Sequence, residues 1–331
     1  MAVTRLADII EPAKFTDYIV QNSVERTALA QSGIVTRNAV IENQIRAGAH
    51  SFLTPAWLDL GDDEANIAND DPAQKSTPHK LGSNKQVVRK SFLHNSWSAM
   101  NLASEIAGSN ALDRIQERVQ AYWERQLQRR LVASLNGVMA DNVANNTGDM
   151  VLDISAETGN AAKFSAAAVI DAAGTLGDAL AGVTGIAMHG DIYRAALKAD
   201  LIEFIRPSEG SMAMPTFRGL AVVQDDSMPY DDTAKTYTTA LFGNGAFGYG
   251  LAAPEVADGT EIENLPSAGN GGGQQILHSR INLGLHPAGF TFSDANVLGE
   301  SPTIAELADA TNWGRVVERK AAPLAFLVSK L

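Results

Sequence analysis

The stretch SNALDRIQERVQAYWERQLQRRLVASLNG, residues 109–137, gives the strongest secondary-structure signal in the chain. Asn110 can cap the first turn of a helix, Asp113 follows it, and Gly137 is typical of a helix end. Between these positions apolar residues recur at steps of three and four: Leu112, Ile115, Val119, Tyr122, Trp123, Leu127, Leu131 and Leu135. The spacing predicts one long helix with a single apolar stripe packed against a core.

The composition around this helix is that of a folded protein. The 331 residues are 45% hydrophobic and 19% charged, and the length suits roughly two domains. The absence of cysteine excludes disulfide frameworks, thiolate catalysis and cysteine zinc sites. The N-terminus lacks a signal-peptide core, and the longest apolar run, AAPLAFLV, is too short to span a bilayer. We expect a soluble protein that is not secreted and does not enter a membrane.

The charge of the chain argues against a dedicated nucleic-acid-binding protein. The formal net charge is −12, whereas phosphate contacts need clustered lysine and arginine. Arg125, Arg129 and Arg130 fall near the predicted end of the long helix, where positive charge suits the helix dipole better than it indicates a phosphate site. Weak contact with DNA through a local patch stays open.

The segment 46–95 cannot form a helix of ordinary length. Breakers recur along it, at Gly48, Pro55, Gly61, Pro72, Pro78 and Gly82. Its charges are separated into an acidic group and then a basic group: Asp59, Asp62, Asp63, Glu64, Asp70 and Asp71, then Lys75, Lys80, Lys85, Arg89 and Lys90. The pattern predicts a two-armed hairpin with one acidic and one basic arm. It is either a solvated loop or an arm lying on a neighbouring subunit, where opposite charges fix the register.

Residues 153–265 mix helices with strands. SAAAVIDAAGTLGDAL and GDIYRAALKAD favour helices, the second capped by Asp191, while VTGIAMH, GLAVVQ and YTTALFG favour strands. After GNGGG, the stretch QQILHSRINLGLHPAGFTF predicts further strand with a turn inside it. The fold class is α+β.

A glycine motif in this region does not indicate a nucleotide site. GNGAFGYG matches G-x-G-x-x-G, but Tyr249, Gly250 and Pro254 stand where a phosphate-binding helix would open. A kinase-type glycine loop would need a lysine on a following strand, and after Lys235 the next lysine is Lys320. The glycines are interpreted as bulges or tight turns.

The aspartates of VVQDDSMPYDD, residues 222–232, raise the question of a metal or acid/base site. The four are Asp225, Asp226, Asp231 and Asp232. Both pairs belong to one loop, whereas a metal site draws carboxylates from several elements, so the pattern favours turns in which aspartate bonds the local backbone. The six histidines show no i, i+3 or i, i+4 pair, and His189, His278 and His286 are interpreted as structural. We therefore predict no catalytic, cofactor or metal residues.

Three longer stretches carry a family resemblance: FTDYIVQNSVERTALAQSGIV, FRGLAVVQDDSMPYDDTAKTYTTALFGNGAFGYG and SPTIAELADATNWGRVVERKAAPLAFLV. They resemble the major capsid (coat) proteins of tailed bacteriophages, which share the Hong Kong phage capsid fold. The order of parts is similar over nearly the whole chain. The resemblance implies an N-terminal arm (1–45), an extended hairpin loop (46–95), a peripheral domain with its spine helix (96–150), an axial domain (151–265) and a return to the peripheral domain (266–331).

The resemblance also implies the function and the partners. The chain would assemble through hexamers and pentamers into an icosahedral head enclosing double-stranded DNA, formed in the host bacterial cytoplasm, with no enzymatic activity and no cofactor. A further set of residues would make subunit contacts: Asp62, Asp63, Glu64, Asp70, Asp71, Lys75, Lys80, Lys85, Arg89 and Lys90. The four aspartates of residues 222–232 would lie on an exposed loop of the axial domain.

Other proteins are implied as partners. These are scaffolding and portal proteins and in some cases decoration proteins, with packaged DNA touched weakly. The scaffold is expected to be a separate chain, because the arm begins almost at Met1, and covalent cross-linking of subunits is not expected. Two alternatives stay open: an encapsulin nanocompartment, which has the same fold around an enzyme cargo, and a carboxylate-dependent metal enzyme.

Overall fold

The computed structural model describes residues 29, 35–57, 64–68, 70, 71, 73, 75, 78–205, 214–256 and 258–331. The helices are α1 Ala39–Arg46, α2 Asn101–Ala107, α3 Ala111–Asn145, α4 Ala166–Gly174, α5 Gly190–Lys198 and α6 Ile304–Ala308. The first eight strands are β1 Val35–Arg37, β2 Ser51–Trp57, β3 Ser83–Met100, β4 Val151–Asp153, β5 Val183–Met188, β6 Glu203–Ile205, β7 Met214–Phe217 and β8 Leu220–Gln224. The others are β9 Tyr230–Asp231, β10 Thr236–Gly243, β11 Phe247–Ala252, β12 Thr260–Leu265, β13 Gln274–Pro287, β14 Phe290–Phe292, β15 Trp313–Arg315 and β16 Leu324–Ser329. Short 3-10 turns lie at Gly159–Ala162, Gly177–Gly182, Ala310–Asn312 and Arg319–Ala321.

The long helix α3 exists as predicted but ends later than predicted. Asn110 caps it, since its Oδ1 accepts the Leu112 N–H at 3.1 Å. The predicted stop at Gly137 is wrong, because the helix continues to Asn145. Gly137 has a packing role instead: a Cβ there would lie 2.3 Å from the carbonyl oxygen of Leu307 and 2.4 Å from Nε1 of Trp313.

The extension of α3 also changes the interpretation of its arginines. Arg125, Arg129 and Arg130 lie in the middle of the helix and not at its carboxyl end. Arg130 is buried and donates from Nη1 to the Pro302 carbonyl at 2.9 Å and to Ser91 Oγ at 3.3 Å. Burial lowers the pKa of Arg130 to about 10. For Arg130, burial in the packed interior replaces the predicted interaction with the helix dipole.

One sheet, the hairpin sheet, has the strand order β1-β11-β13-β3-β2, and β12 also pairs with β13. Its pairings are antiparallel except for β1, which runs parallel to β11. Helix α1 packs on it through Ile41 and Ile45 beside Ala252. A Cβ on Gly250 would lie 2.8 Å from the backbone nitrogen of Glu42, and one on Gly248 would lie 3.0 Å from Cδ1 of Ile41, so these two glycines make room for α1.

The predicted turn in that glycine motif is confirmed. Gly245, at φ +71°, lies between β10 and β11, and the register of β10 against β5 shifts at Gly243. The residues after Gly248 continue as strand, so the helix that a dinucleotide site requires does not form.

The second sheet has the order β4-β16-β10-β5-β8-β7-β6, with β9 beside β10. Successive side chains of a strand point to opposite faces of the sheet. Nearly all residues of β10 and β16 are buried, so both faces of the sheet are covered at these strands. On β16, Phe326 joins the core around α3, and Ala325 and Leu327 join the core under α4 and α5. The predicted strands VTGIAMH, GLAVVQ and YTTALFG are confirmed as β5, β8 and β10, and the predicted helix GDIYRAALKAD as α5. The predicted helix SAAAVIDAAGTLGDAL forms α4 only as far as Gly174 and is followed by the 3-10 turn Gly177–Gly182.

The division of the strands between the two sheets does not follow residue 265, the predicted boundary between the axial domain and the returning segment. Strands β11 and β12, which the prediction put in the axial domain, pair with β13 in the hairpin sheet. Strand β16, which the prediction put in the returning segment, lies between β4 and β10 in the second sheet. Within the described ranges, no helix combines the length and the hydrophobicity that crossing a membrane would need.

Candidate intersubunit surface

The predicted hairpin is confirmed. Strands β2 and β3 pair in antiparallel register, from Ser51 opposite Arg89 to Trp57 opposite Ser83. Strand β3 then continues into the body of the protein, where its residues from Lys90 onward pair with β13. At about 3.3 Å per residue, the 18 residues of β3 extend about 60 Å. One continuous strand therefore connects the hairpin to the core.

The charges of the hairpin do not divide between its two strands as predicted. Strand β2 reads SFLTPAW and carries no charge. The acidic residues Glu64, Asp70 and Asp71 are exposed in the connection between the strands. Asp62 and Asp63, also predicted contact residues, lie outside the described residues. The three described acidic residues thus belong to the connection and not to one arm.

The exposed basic residues follow along the same connection and onto the second strand. Lys75 and Lys80 are exposed before β3 begins, and Lys85 is exposed on β3 itself. The side chains that the structure describes thus present an acidic group and then a basic group to the exterior, in the order of the sequence.

Arg89 and Lys90, predicted with this set, hold the base of the hairpin. The Nη2 of Arg89 donates to the Glu300 carbonyl at 2.9 Å, and its Nη1 lies 3.4 Å from Oδ2 of Asp294. Lys90 is 1% exposed, and its Nζ donates to the Ala47 carbonyl. Burial lowers the pKa of Lys90. Neither cation is displayed on the surface like Lys85.

The C-terminal part of the chain braces the same region. Asn84 Nδ2 donates to the Val316 carbonyl at 2.7 Å, and the Val87 N–H donates to Thr291 Oγ1 at 3.1 Å. His50 packs edge-on against Phe92, with ring centroids 5.8 Å apart. Sequence analysis missed these contacts, because more than 200 residues separate the partners of each hydrogen bond and no local spacing marks them.

The four aspartates act as turn and packing residues. Asp225 is buried, so its predicted place on an exposed loop is wrong; it accepts hydrogen bonds from the Ser227 N–H at 2.9 Å and from Gln128 Nε2 of α3. Asp231 accepts from two backbone N–H groups of its own turn, and Asp232 bonds Lys235 and Tyr230. The predicted local bonding is confirmed for Asp225, Asp231 and Asp232, while Asp226 is an exposed residue of the turn after β8.

No carboxylate cluster of the described residues forms a metal centre, since the structure shows no group of three or more histidine, aspartate or glutamate side chains placed to hold an ion there. The histidines have structural partners. His189 caps α5 by accepting the Asp191 N–H at 3.1 Å, which corrects the predicted cap by Asp191. His278 bonds Ser96 and Glu263, and His286 donates from Nε2 to the Phe290 carbonyl at 2.8 Å.

Comparison with known proteins gives the family. Residues 109–322 match the family described as Major capsid protein 13-like. The chain is 35% identical over 325 residues to the major capsid protein of Bacillus phage SPP1, with 97% of this chain and 96% of that protein covered. The chain belongs to this capsid protein family. It is a shell-forming coat protein of a phage virion, and the suspected resemblance is confirmed.

Solved structures show that this capsid protein has the tailed-phage capsid fold. The cyanophage Pam1 capsid subunit is similar with a TM-score of 0.57 at 10% identity, over 96% of both chains. The capsid of the native GTA particle gives 0.54 at 14% identity, over 97% of this chain and 96% of that chain. An encapsulin from Synechococcus elongatus gives 0.50 at 11% identity, over 95% of this chain and 91% of that chain. At such low identities these likenesses establish the fold alone.

Proposed function

We propose that this capsid protein assembles through hexamers and pentamers into an icosahedral head around double-stranded DNA, and that it has no enzymatic activity. The hairpin is the observation that carries the proposal. The hairpin of β2 and β3 leaves the core, and its connection and the start of β3 present exposed charges, while Arg89 and Lys90 at its base are held inside the chain. A closed shell needs contacts of this kind between identical subunits, because many weak contacts add up once the shell closes.

The contact residues of the proposal are the exposed residues of the predicted set and two that lie outside the described ranges. Its acidic members are Glu64, Asp70 and Asp71, together with Asp62 and Asp63, and its basic members are Lys75, Lys80 and Lys85. Opposite charges on one extended segment allow it to match two neighbours in one register and repel them in others. Arg89 and Lys90 serve within the chain by fixing the base.

The proposed domains follow the sheets. The hairpin sheet with α3 forms the peripheral domain, and the second sheet with α4 and α5 forms the axial domain near the centre of a capsomer. The segment before Val35 is proposed to be the N-terminal arm. Assembly in the host cytoplasm, with separate scaffolding and portal proteins and in some phages decoration proteins, completes the proposal. The acidic net charge of −12 supports weak, non-specific contact with packaged DNA.

A charge-reversal experiment tests the proposed contacts. Lys75→Glu, Lys80→Glu and Lys85→Glu in one chain should abolish closed shells while leaving the unassembled protein folded. Electron microscopy and sedimentation measure the shells, and circular dichroism measures the fold. A triple reversal on exposed cations of the second sheet and its flanks gives the matched control for net charge: Lys163→Glu, Lys198→Glu and Arg218→Glu.

A second variant distinguishes specific pairing from a general charge effect. Adding Asp62→Lys, Asp63→Lys, Glu64→Lys, Asp70→Lys and Asp71→Lys to the lysine reversals inverts both sides of every proposed contact, so shells should form again. Normal shells from the lysine reversals alone would overturn the proposed contacts. The proposed contacts would also be overturned if the doubly reversed chain assembled no better than the chain with the lysine reversals alone.

An encapsulin-like shell is the second candidate, since the Synechococcus encapsulin has a similar fold. The identity of 35% to a phage coat protein favours the phage head. Particles purified from cells that make all the phage proteins should contain DNA; a cargo enzyme in place of DNA would favour the encapsulin function.

A further inference from the structure

We propose that a single buried water molecule is bound where the hairpin, α3 and the return strand β13 meet, and that it fixes the base of the hairpin to the core. The site is a cavity of about 10 Å³, the space that one water needs. Among the polar residues that line it are Arg89, Arg130, Ser134 and His286. Its remaining walls are apolar side chains, such as Trp313, together with Pro302 and Ser91.

Each of these four residues has a buried polar atom without a hydrogen-bond partner among the described residues. The atoms are Arg89 Nε, Arg130 Nε, Ser134 Oγ and His286 Nδ1. An unpaired buried polar atom costs about 1–3 kcal/mol, so native proteins rarely keep several side by side. Four such atoms from residues around one cavity of water size therefore indicate a shared ligand that satisfies all of them.

Three of the four terminal nitrogens of the two guanidinium groups are already engaged. Arg89 uses Nη1 and Nη2 on Asp294 and Glu300, and Arg130 uses Nη1 on Ser91 and Pro302. Each Nε can therefore offer one N–H donor to the cavity.

His286 offers the cavity a hydrogen-bond acceptor in place of a donor. His286 Nε2 lies 2.8 Å from the Phe290 carbonyl oxygen, which can only accept, so Nε2 carries the proton. Burial lowers the pKa of His286 to about 4, which keeps the ring neutral near pH 7. Its Nδ1 is then a lone-pair acceptor, and the Ser134 hydroxyl can donate or accept.

This combination fits water and disfavours an anion. Water can accept from the two Nε–H groups and donate to His286 Nδ1 and Ser134 Oγ, which uses both of its lone pairs and both of its protons. A chloride ion would accept from the arginines but would face the lone pair of Nδ1. A metal ion would face two buried guanidinium groups, which carry positive charge.

The position of the site gives the water a structural task. Arg89 belongs to β3 where the hairpin leaves the core, Ser134 and Arg130 to the buried half of α3, and His286 to β13. One molecule with four hydrogen bonds links these three elements. The direction in which the hairpin leaves the subunit would thus be fixed partly through this water.

A crystal structure of the unassembled protein that resolves ordered water tests the site, and it does not depend on shell formation. We expect one peak within hydrogen-bond distance of Arg89 Nε, Arg130 Nε, Ser134 Oγ and His286 Nδ1. The same structure from protein exchanged into sodium bromide distinguishes an anion, because bromide would give a strong anomalous peak there. An empty cavity or a bromide peak would overturn the proposal.

Substitutions at Ser134 test the structural task. Ser134→Val fills the cavity with methyl groups and should displace the water, so that amide hydrogen exchange in residues 87–91 becomes about tenfold faster. Ser134→Ala keeps the space and should keep the water peak. The matched control is Ser329→Val, which changes another buried serine with an unpaired hydroxyl, in the second sheet, and should leave exchange in 87–91 unchanged.

Each result of this series decides the proposal. If Ser134→Val loses the peak and exchange in 87–91 stays at the wild-type rate, the water does not fix the hairpin. If Ser134→Val does not fold, the wild-type and Ser134→Ala structures still decide whether the water is bound.

Discussion

The two halves of α3 have the same apolar spacing but different surroundings. From Gln128 to Val138 most residues are buried, including the polar Gln128 and Ser134. From Ala111 to Leu127, Leu112 is the one residue that is fully buried. The second half lies inside the largest core, whereas the first half covers the hairpin sheet and is open on its flanks.

The open flanks are apolar. Cavities of about 480 and 280 Å³ lie beside the first half, and Trp123 lines both. Trp123 is held at the sheet by a hydrogen bond from its Nε1 to Ser279 Oγ at 2.9 Å. A repeat of apolar residues at steps of three and four therefore predicts which side of a helix is apolar, but it does not reveal how many neighbours surround that helix.

The largest difference between the halves should appear on truncating a leucine. Leu131→Ala removes a fully buried side chain and should destabilise the unassembled protein by about 2–5 kcal/mol. Leu127→Ala, one helical turn earlier and half-buried, should cost less than half as much. Urea unfolding followed by circular dichroism measures both, and equal losses would contradict the comparison.

A single methyl group added in the buried half should also destabilise the protein. Gly137→Ala would place a Cβ against the Leu307 carbonyl and the Trp313 ring, and both are held in place by their mutual hydrogen bond of 2.8 Å. We expect a loss of about 3 kcal/mol, the upper part of the range for overpacking.

The control for that change is Gly174→Ala at the end of α4, where a Cβ would meet nothing within 4 Å. It should be neutral or slightly stabilising because alanine favours the helix. A destabilisation of Gly137→Ala no larger than that of Gly174→Ala in urea titrations would refute the close packing.

Lowering the pH should reduce the free energy of unfolding through His286, which lines the small cavity beside the buried half of α3. Because burial lowers the pKa of His286 to about 4, the unfolded chain, with a pKa of about 6.5, binds the proton first. The contribution of His286 to stability is therefore complete above about pH 6.5 and is lost as the pH falls to about 4, with about 2 kcal/mol lost by pH 5.

Urea midpoints at pH 7 and pH 5 measure this loss in the wild type and in His286→Gln. The difference between the two pH values should be smaller in the variant, because glutamine does not titrate. Parallel losses in both proteins would assign the pH dependence to other groups.

The smallest effect is expected at the exposed start of the helix. Asn110→Ala removes the side chain that accepts the Leu112 N–H and should cost about 1 kcal/mol. Asn110→Ser restores an oxygen at the cap and should recover most of the loss. Thermal unfolding of the three proteins tests the cap, and a serine variant no more stable than the alanine variant would contradict it.

Local patterns predicted much of the fold correctly. The short apolar runs in VTGIAMH and YTTALFG marked β5 and β10, and the breakers in 46–95 excluded helix where the hairpin lies. Errors occurred where a residue acts through distant partners. Gly137 resembles a helix stop until Trp313 is seen against it, and Asp225 resembles a surface residue until Gln128 is seen to donate to it.

For the proposed contact surface as well, the sequence predicted one part correctly and the structure was needed for the other. Sequence analysis found the ordered charges of the hairpin, since acidic and basic groups are visible in the letters alone. It could not separate Lys85, which is exposed, from Lys90, which is buried and bonded to Ala47. Five residues further along the chain, the same residue type meets a different environment.

The sequence by itself determined the class of elements, the hairpin and the family, because turn residues, apolar period and a long similarity to a phage coat protein are properties of the order of residues. Only the tertiary structure decided that β16 joins the second sheet, that α3 runs through Gly137, and that Arg89, Arg130 and His286 surround one small cavity. Each depends on side chains from remote parts of the chain coming within a few ångströms, and burial and hydrogen bonding act at that distance whatever the separation in sequence.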